Sequence, residues 1–162
     1  MNTALITGAN KGIGREVARQ LAAKGFYVFV GARNAKAGRK AAEEIANRAG
    51  KVTFLEIDVA DNDSVTNAAR EFAKVEDHLD VLVNNAGIIV DGDNAILEIS
   101  DDLFRNTLET NTLGALRVSR AFAPLLRKSK APRVINVLER RRSTHRRRRW
   151  LDAGLLYFED CA

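Results

Sequence analysis

The sequence is almost devoid of cysteine, since Cys161 is the one cysteine in 162 residues. An internal disulfide framework is therefore excluded, and a reducing, cytoplasmic setting is expected. No apolar run approaches the roughly 20 residues that a membrane-spanning helix needs, and the N-terminus has no basic-then-apolar signal pattern. We expect no membrane partner and no metal site.

Net positive charge is small over most of the chain and concentrated near its end. The formal net charge is +5, of which residues 138–162 hold +3 through seven arginines and four acidic residues. Residues 1–137 are near-neutral, and the chain as a whole is 46% hydrophobic, which is enough for one globular domain with a core. The sequence contains no internal repeat and no linker before residue 137.

A glycine-rich stretch, Thr7-Gly8-Ala9-Asn10-Lys11-Gly12-Ile13-Gly14, directly follows the apolar run Ala4-Leu5-Ile6. Gly8 permits a tight turn, Gly12 lets the backbone approach a pyrophosphate, and Gly14 lets the following helix pack close to the strand. The free N–H groups at the start of that helix would face the anion. The stretch predicts a dinucleotide-binding turn.

Apolar strands alternate with helical patterns along the chain. Strands are predicted near 4–6, 27–32, 52–57, 80–83 and 133–137, and helices from the glycine turn to Gly25, over 35–48, over 62–74 with Asp61 as N-cap, and over 101–127. Residues 88–100 are predicted to be a loop. This alternation predicts an α/β fold, a Rossmann-type doubly wound parallel sheet that stops after its fifth strand.

Two cations lie where the sheet would bind a nucleotide. Arg33 ends the predicted second strand, where an acidic residue would hold the ribose hydroxyl of NAD(H), and Lys11 lies inside the glycine loop. An arginine at that position favours a 2′-phosphate, so the pair predicts NADP(H). The alternative is that both are ordinary surface cations.

These motifs resemble the short-chain dehydrogenase/reductase family, and in particular its carbonyl-reductase-like, NADPH-preferring members, over residues 1–137. The resemblance implies that Asp58-Val59 contacts the adenine, that Asn84-Asn85-Ala86-Gly87 lines the cofactor cleft, and that Asn111 supports a proton relay. Taken alone, Asp58 could equally be a turn or capping residue, and the tetrapeptide a turn. The implied cofactor-binding set is Gly8, Asn10, Lys11, Gly12, Ile13, Gly14, Arg33, Asp58, Val59, Asn85, Ala86 and Gly87.

The resemblance also implies a catalytic serine after the fifth strand and a tyrosine followed four residues later by lysine. Val137 instead leads into Leu138-Glu139-Arg140, and Tyr157 is followed four residues later by Cys161. Lys130 is the last lysine in the sequence. We therefore expect the catalytic centre to be absent from this chain.

Residues 138–162 share neither the hydrophobic periodicity nor the composition of the preceding sequence, and we expect them to be non-native and disordered. A one-base shift of the reading frame near codon 138 is compatible with Ser-Ser in place of Leu138-Glu139. The same shift is compatible with Tyr-x-x-x-Lys within 150–162. The alternative is a genuine arginine block that binds nucleic acid, although aromatic residues hardly interleave with it.

Three functions follow from these observations. The resemblance implies NADPH-dependent reduction of a small aldehyde or ketone to an alcohol, in a chain that is itself catalytically incomplete. The alternatives are a non-catalytic NADP(H)-binding module and a basic-tailed nucleic-acid binder. Val134, Ile135 and Val137 are expected to form an exposed apolar strand edge, with poor solubility as a result, and oligomers are expected only for a full-length form.

Overall fold

A computed structural model describes residues 1–88 and 99–138 of the chain. The five strands are β1 (Thr3–Thr7), β2 (Tyr27–Ala32), β3 (Val52–Glu56), β4 (Val81–Asn84) and β5 (Arg133–Asn136). The helices are α1 (Gly12–Ala23), α2 (Ala35–Ala49), α3 (Asn62–Ala73), α4 (Asp101–Leu108) and α5 (Gly114–Leu126), with a π-helical turn at Glu109–Leu113 between the last two. Most of residues 88–100, the predicted loop, lie outside the described residues.

The strands form one parallel sheet in the order β3-β2-β1-β4-β5. In this order β1 is central, and the chain moves outward first to β2 and β3, then crosses over to β4 and β5. The carboxyl ends of β1 and β4, where the direction reverses, are the place at which such sheets bind ligands. The predicted Rossmann-type doubly wound sheet of five strands is confirmed.

The two faces of the sheet bury separate apolar clusters. Small side chains dominate on the α1 and α2 side, where Ala18, Ala22, Ala41 and Ala42 pack against Ile6 and its neighbours. Larger side chains fill the α3 and α5 side, where the aromatic rings of Tyr27, Phe29, Phe72 and Phe122 form a chain with centroid separations of 4.5, 4.3 and 5.6 Å. Both clusters support the strands that carry the glycine loop.

The structure adds detail to the first and last predicted helices. In α1 the buried residues are Gly14, Ala18 and Ala22, with Val17 and Leu21 partly buried beside them, whereas Ile13 in the first turn is 67% exposed. The single helix predicted over 101–127 is interrupted by the π-helical turn, and Leu108, Leu113 and Leu116 are exposed. Leucine spacing predicted the helix but could not identify its buried face.

The fifth strand lies at an edge of the sheet, as predicted. Its side chains are exposed, with Val134 at 47% and Ile135 at 46% of their surface, and Val137 just beyond it at 37%.

Among the described helices, none is long and apolar enough to cross a membrane.

Candidate functional site

The glycine loop between β1 and α1 turns sharply because two of its residues adopt left-handed backbone conformations. Gly8 has φ 65° and Gly12 has φ 58°, values that residues with a Cβ adopt at a cost of about 1–2 kcal/mol. The amide of Ala9 donates to the carbonyl of Gly31 on β2 at 3.0 Å, which holds the loop against the neighbouring strand. The loop is therefore fixed in place before any ligand binds.

The loop is also joined to the segment that follows β4. The Thr7 hydroxyl oxygen accepts from the backbone N–H groups of Asn85 and Ala86, both at 3.0 Å. In return, the Asn85 side-chain amide donates to the carbonyls of Thr7 at 2.9 Å and Gly8 at 3.3 Å. These four hydrogen bonds connect the two loops at the point where the sheet order reverses.

The three glycines of the motif have different surroundings. A Cβ on Gly14 would lie 2.3 Å from the Asn85 amide nitrogen, and one on Gly8 would lie 2.8 Å from the Ala86 Cα. Gly14 is thus required by the side chain of Asn85, whereas the sequence reasoning assigned it to packing of the helix on the strand. A Cβ on Gly12 would meet no described atom within 4 Å, so the backbone there faces open space.

The N-terminus of α1 differs from those of the other described α-helices before the π-turn. Side chains of Asn34, Asp61 and Ser100 cap α2, α3 and α4, whereas Lys11 at the N-cap of α1 makes no side-chain cap bond. The first turn of α1 contains no acidic residue. Its N–H groups and the positive end of its dipole are therefore left for an external anion.

The two cations predicted to select the cofactor lie at this end of the sheet. Lys11 precedes α1 and Arg33 directly follows β2, and both side chains are exposed. Neither has a carboxylate partner among the described residues, in contrast to Arg15, which pairs with Glu44.

The Asp58-Val59 pair follows β3 at the same edge of the sheet. The Asp58 carboxylate accepts from the backbone N–H of Ala60 at 3.0 Å, and its own N–H donates to the Ser64 hydroxyl at 2.9 Å. Val59 is buried, and a Cβ on Gly114 of α5 would lie 2.8 Å from its Cγ2. Asp58 is a turn residue with one carboxylate oxygen engaged, and Val59 offers a ligand its backbone only.

Asn111 lies in the π-helical turn, and its side chain braces the segment after β4. Its Nδ2 donates to the carbonyl of Ile88 at 2.9 Å, and its Oδ1 accepts from the Ile88 N–H at 2.8 Å. Gly87 permits this approach, since a Cβ there would lie 3.3 Å from Asn111 Oδ1. Interruptions of this kind in a helix are frequent at functional sites.

Of the predicted cofactor residues, those of the two loops lie at the same end of the sheet, where hydrogen bonds join Thr7 and Gly8 to Asn85 and Ala86. Asn10 is half-buried, and Ile13 and Gly87 are exposed. Sequence reasoning missed Thr7 as the residue that joins the loops, although a buried threonine at the end of a strand offers a signal. It also missed the π-helical turn, which the helical periodicity of 101–127 conceals.

Comparison with known proteins identifies the family. The family model described as short chain dehydrogenase matches residues 2–139. The chain belongs to the short-chain dehydrogenase/reductase family. Among curated relatives, it is 33% identical to (+)-neomenthol dehydrogenase of Capsicum annuum and 37% identical to that of Arabidopsis thaliana. Each match covers 83% of this chain, and the chain spans about half of the relatives' length, 54% and 52% respectively.

Solved structures give the same assignment. An alcohol dehydrogenase from Thermococcus sibiricus complexed with 5-hydroxy-NADP matches with a TM-score of 0.76 at 32% identity, over 81% of this chain and 55% of that one. A variant of actinorhodin polyketide ketoreductase with NADPH matches with a TM-score of 0.77 at 32% identity, over 83% and 52%. In both comparisons this chain matches about half of the solved structure.

Proposed function

We propose that this chain binds NADP(H) at the carboxyl ends of β1, β2 and β4. The observation that carries the proposal is the open backbone at Gly12, which begins a helix whose N-cap residue makes no side-chain cap bond. Lys11 adjoins Gly12 and Arg33 follows the neighbouring strand, and neither has a carboxylate partner within 1–88 and 99–138. A pyrophosphate fits the N–H groups of α1, and a 2′-phosphate fits Arg33 and Lys11. The NADP and NADPH complexes among the similar structures support the same cofactor.

The chemistry of the family activity is hydride transfer, which the nicotinamide supplies when it is bound. The residues of this chain bind and orient the cofactor. Asp58 and the backbone of Val59 would contact the adenine, and Asn85, Ala86 and Gly87 would line the nicotinamide side of the crevice. Asn111 would support the proton relay from the π-helical turn while its side-chain amide holds Ile88. The proposed overall reaction is reduction of a small aldehyde or ketone to an alcohol, or its reverse.

We further propose that the chain, with this sequence, binds the cofactor without turning over a carbonyl. The positions that should hold the serine and the Tyr-x-x-x-Lys set hold other residues. They lie in 138–162, which apart from Leu138 is outside the described residues. Sequencing the coding DNA from codon 137 onward tests this. If the reading frame shifted by one base stays open and contains the serine, tyrosine and lysine codons, the reductase activity belongs to the product of that frame. If the shifted frame meets a stop codon at once, the arginine segment is a genuine part of the protein.

The binding proposal is tested by titrating NADPH and NADH into the protein and following nicotinamide fluorescence. We expect NADPH to bind more tightly, and Arg33→Ser to weaken NADPH binding about 10- to 100-fold, as loss of a charge-assisted hydrogen bond worth about 1.5–3 kcal/mol predicts. NADH binding should change little. Arg70→Ser, an exposed arginine in the last turn of α3, is the matched control and should leave both affinities unchanged. Equal affinity for the two nucleotides would contradict the assignment of Arg33.

A further inference from the structure

A polar cluster lies at the amino ends of β1 and β4, at the opposite end of the sheet from the glycine loop. Its centre is the Asp80 carboxylate, whose Oδ2 accepts from the backbone N–H of Thr3 at 2.8 Å and whose Oδ1 accepts from the Ser129 hydroxyl at 2.5 Å. The carbonyl of Asp80 also accepts from the N–H of Arg133 at 2.8 Å. One residue thus joins β1, β4 and the turn that leads into β5.

His78 lies between two carboxylates of this cluster. Its Nδ1 is 2.7 Å from Asp77 Oδ1, and its Nε2 is 3.4 Å from Asp80 Oδ2. The backbone carbonyl of His78 accepts from the Thr3 hydroxyl at 3.0 Å, so the segment carrying the ring is fixed to β1. A neutral imidazole has one N–H and no charge, whereas the protonated ring has an N–H on each nitrogen and a positive charge. The charged ring can therefore hydrogen-bond with Asp77 and also attract Asp80 across 3.4 Å.

We propose that His78 is a pH-sensitive clamp, which when protonated binds Asp77 and Asp80 together and strengthens the junction of β1, β4 and the β5 turn. Loss of the proton removes one of the two donors and the charge that attracts both carboxylates. The Asp80 carboxylate then keeps its hydrogen bonds from Thr3 and Ser129 but loses the attraction of a charged ring. The proposal is independent of the nucleotide site, because the two lie at opposite ends of the sheet.

The charges around the ring agree with this assignment. The hydrogen bond with Asp77 raises the pKa of His78, burial opposes that change, and the charges of Asp80, Asp77 and Glu76 raise it further. Burial tends to raise the pKa of Asp80, but hydrogen bonds from Ser129 and Thr3 and the charge of His78 bring it below its usual value. Two lysines border the cluster. Lys51 Nζ is 3.8 Å from Glu76 Oε1. The pKa of Asp77 is lowered mainly by its hydrogen bond with His78, and the charge of Lys128 helps to lower it.

The sign of the pH effect follows from these directions. A histidine whose pKa is higher in the folded state adds stability that is fully present below the unfolded value, about 6.5, and is lost as the pH rises through the folded value. The carboxylates have lowered pKa values, so their contribution is lost only at acid pH. The clamp is therefore strongest between about pH 4.5 and 6.5.

The test compares urea unfolding of the full chain at pH 6.0 and pH 8.5 for the native sequence, His78→Gln and His145→Gln. We expect the urea midpoint of the native protein and of His145→Gln to be lower at pH 8.5 than at pH 6.0. The urea midpoint of His78→Gln should differ less between the two pH values. About a tenfold change in the unfolding equilibrium constant is expected for each unit by which the folded pKa exceeds the unfolded one. Identical pH dependence of all three proteins would overturn the proposal.

A second measurement does not depend on the stability of the variants. Proton NMR of the imidazole rings, with His78→Gln used to assign the signals, gives the pKa of His78 directly. We expect it to lie above 6.5 in the native protein and to fall in Asp77→Asn. A pKa that Asp77→Asn does not lower would show that the ring is not clamped.

Discussion

The strands β1 and β5 both pair with β4 in parallel, one on each side of it, yet they differ completely in burial. All five residues of β1 are buried, with Leu5 and Ile6 at 0% exposure, whereas all four residues of β5 are exposed. Both strands have apolar centres, and both have in-register partners on β4. Apolar content and pairing with β4 are therefore insufficient to bury a strand.

The difference comes from what lies on the far side of each strand. Beyond β1 lies β2, and helices cover both faces of that part of the sheet through the two apolar clusters. Beyond β5 the described residues provide no further strand. The centre of the sheet therefore carries the stability that positions the glycine loop, while β5 contributes hydrogen bonds to one side only.

The largest effect should come from truncating a side chain at the centre. Leu5→Ala removes a fully buried side chain from the cluster on the α3 and α5 side and should lower the free energy of unfolding by about 3 kcal/mol. Val134→Ala, the matched change on β5, should lower it by about 1 kcal/mol at most, because that side chain is already half exposed. Urea unfolding followed by circular dichroism measures both, and equal losses would contradict the contrast between the strands.

A smaller loss of stability is expected from substitutions at the glycines of the loop. Comparing Gly14→Ala with Gly12→Ala separates an effect on folding from an effect on NADPH binding. Gly14→Ala places a methyl group against the Asn85 amide and the Gly8 carbonyl, and should cost about 2 kcal/mol of stability. Gly12→Ala has room for the methyl group and should cost about 1 kcal/mol through its backbone conformation. Because the added methyl would face the crevice, Gly12→Ala should weaken NADPH binding more than its stability loss explains. Unimpaired binding in that variant would place the ligand elsewhere.

Much of the fold follows from local sequence signals. Alternating strands and helices predicted the parallel sheet, and Asp61 was correctly expected to cap α3, where its side chain accepts from the N–H groups of Asp63 and Ser64. The exposed edge at Val134 and Ile135 was predicted because no further strand pattern follows it. These features depend only on the periodicity of the apolar residues and on residue type.

The features that sequence could not supply depend on contacts between distant segments. The role of Gly14 is set by Asn85, 71 positions away in the chain, and Asn111 in the π-helical turn hydrogen-bonds with Ile88, which lies in the segment after β4. The fully buried residues of α1 are the small ones, Gly14, Ala18 and Ala22, so the spacing of its large apolar residues alone does not show which of them are buried. The adenine contact of Asp58-Val59 and the proton-relay role of Asn111 came from family resemblance, and both stay predictions. NADPH titration of Asp58 variants would test the first of them.

The smallest effect is expected at the surface of α1, where a strong pKa shift coincides with full exposure. Hydrogen bonds from Arg19 at 2.6 and 2.9 Å and from Gln20 at 3.0 Å lower the pKa of Glu16 to about 2. The stability that this carboxylate contributes is present above its unfolded pKa and is lost as the pH falls through about 2. Because solvent and salt screen an exposed pair, Glu16→Gln at pH 7 should move the urea midpoint less than Val134→Ala does, and the change should vanish in 1 M salt (Debye length about 3 Å). A shift as large as that of Gly12→Ala, persisting in high salt, would show that the first turns of α1 depend on this pair and that exposure alone does not decide which contacts stabilise the chain.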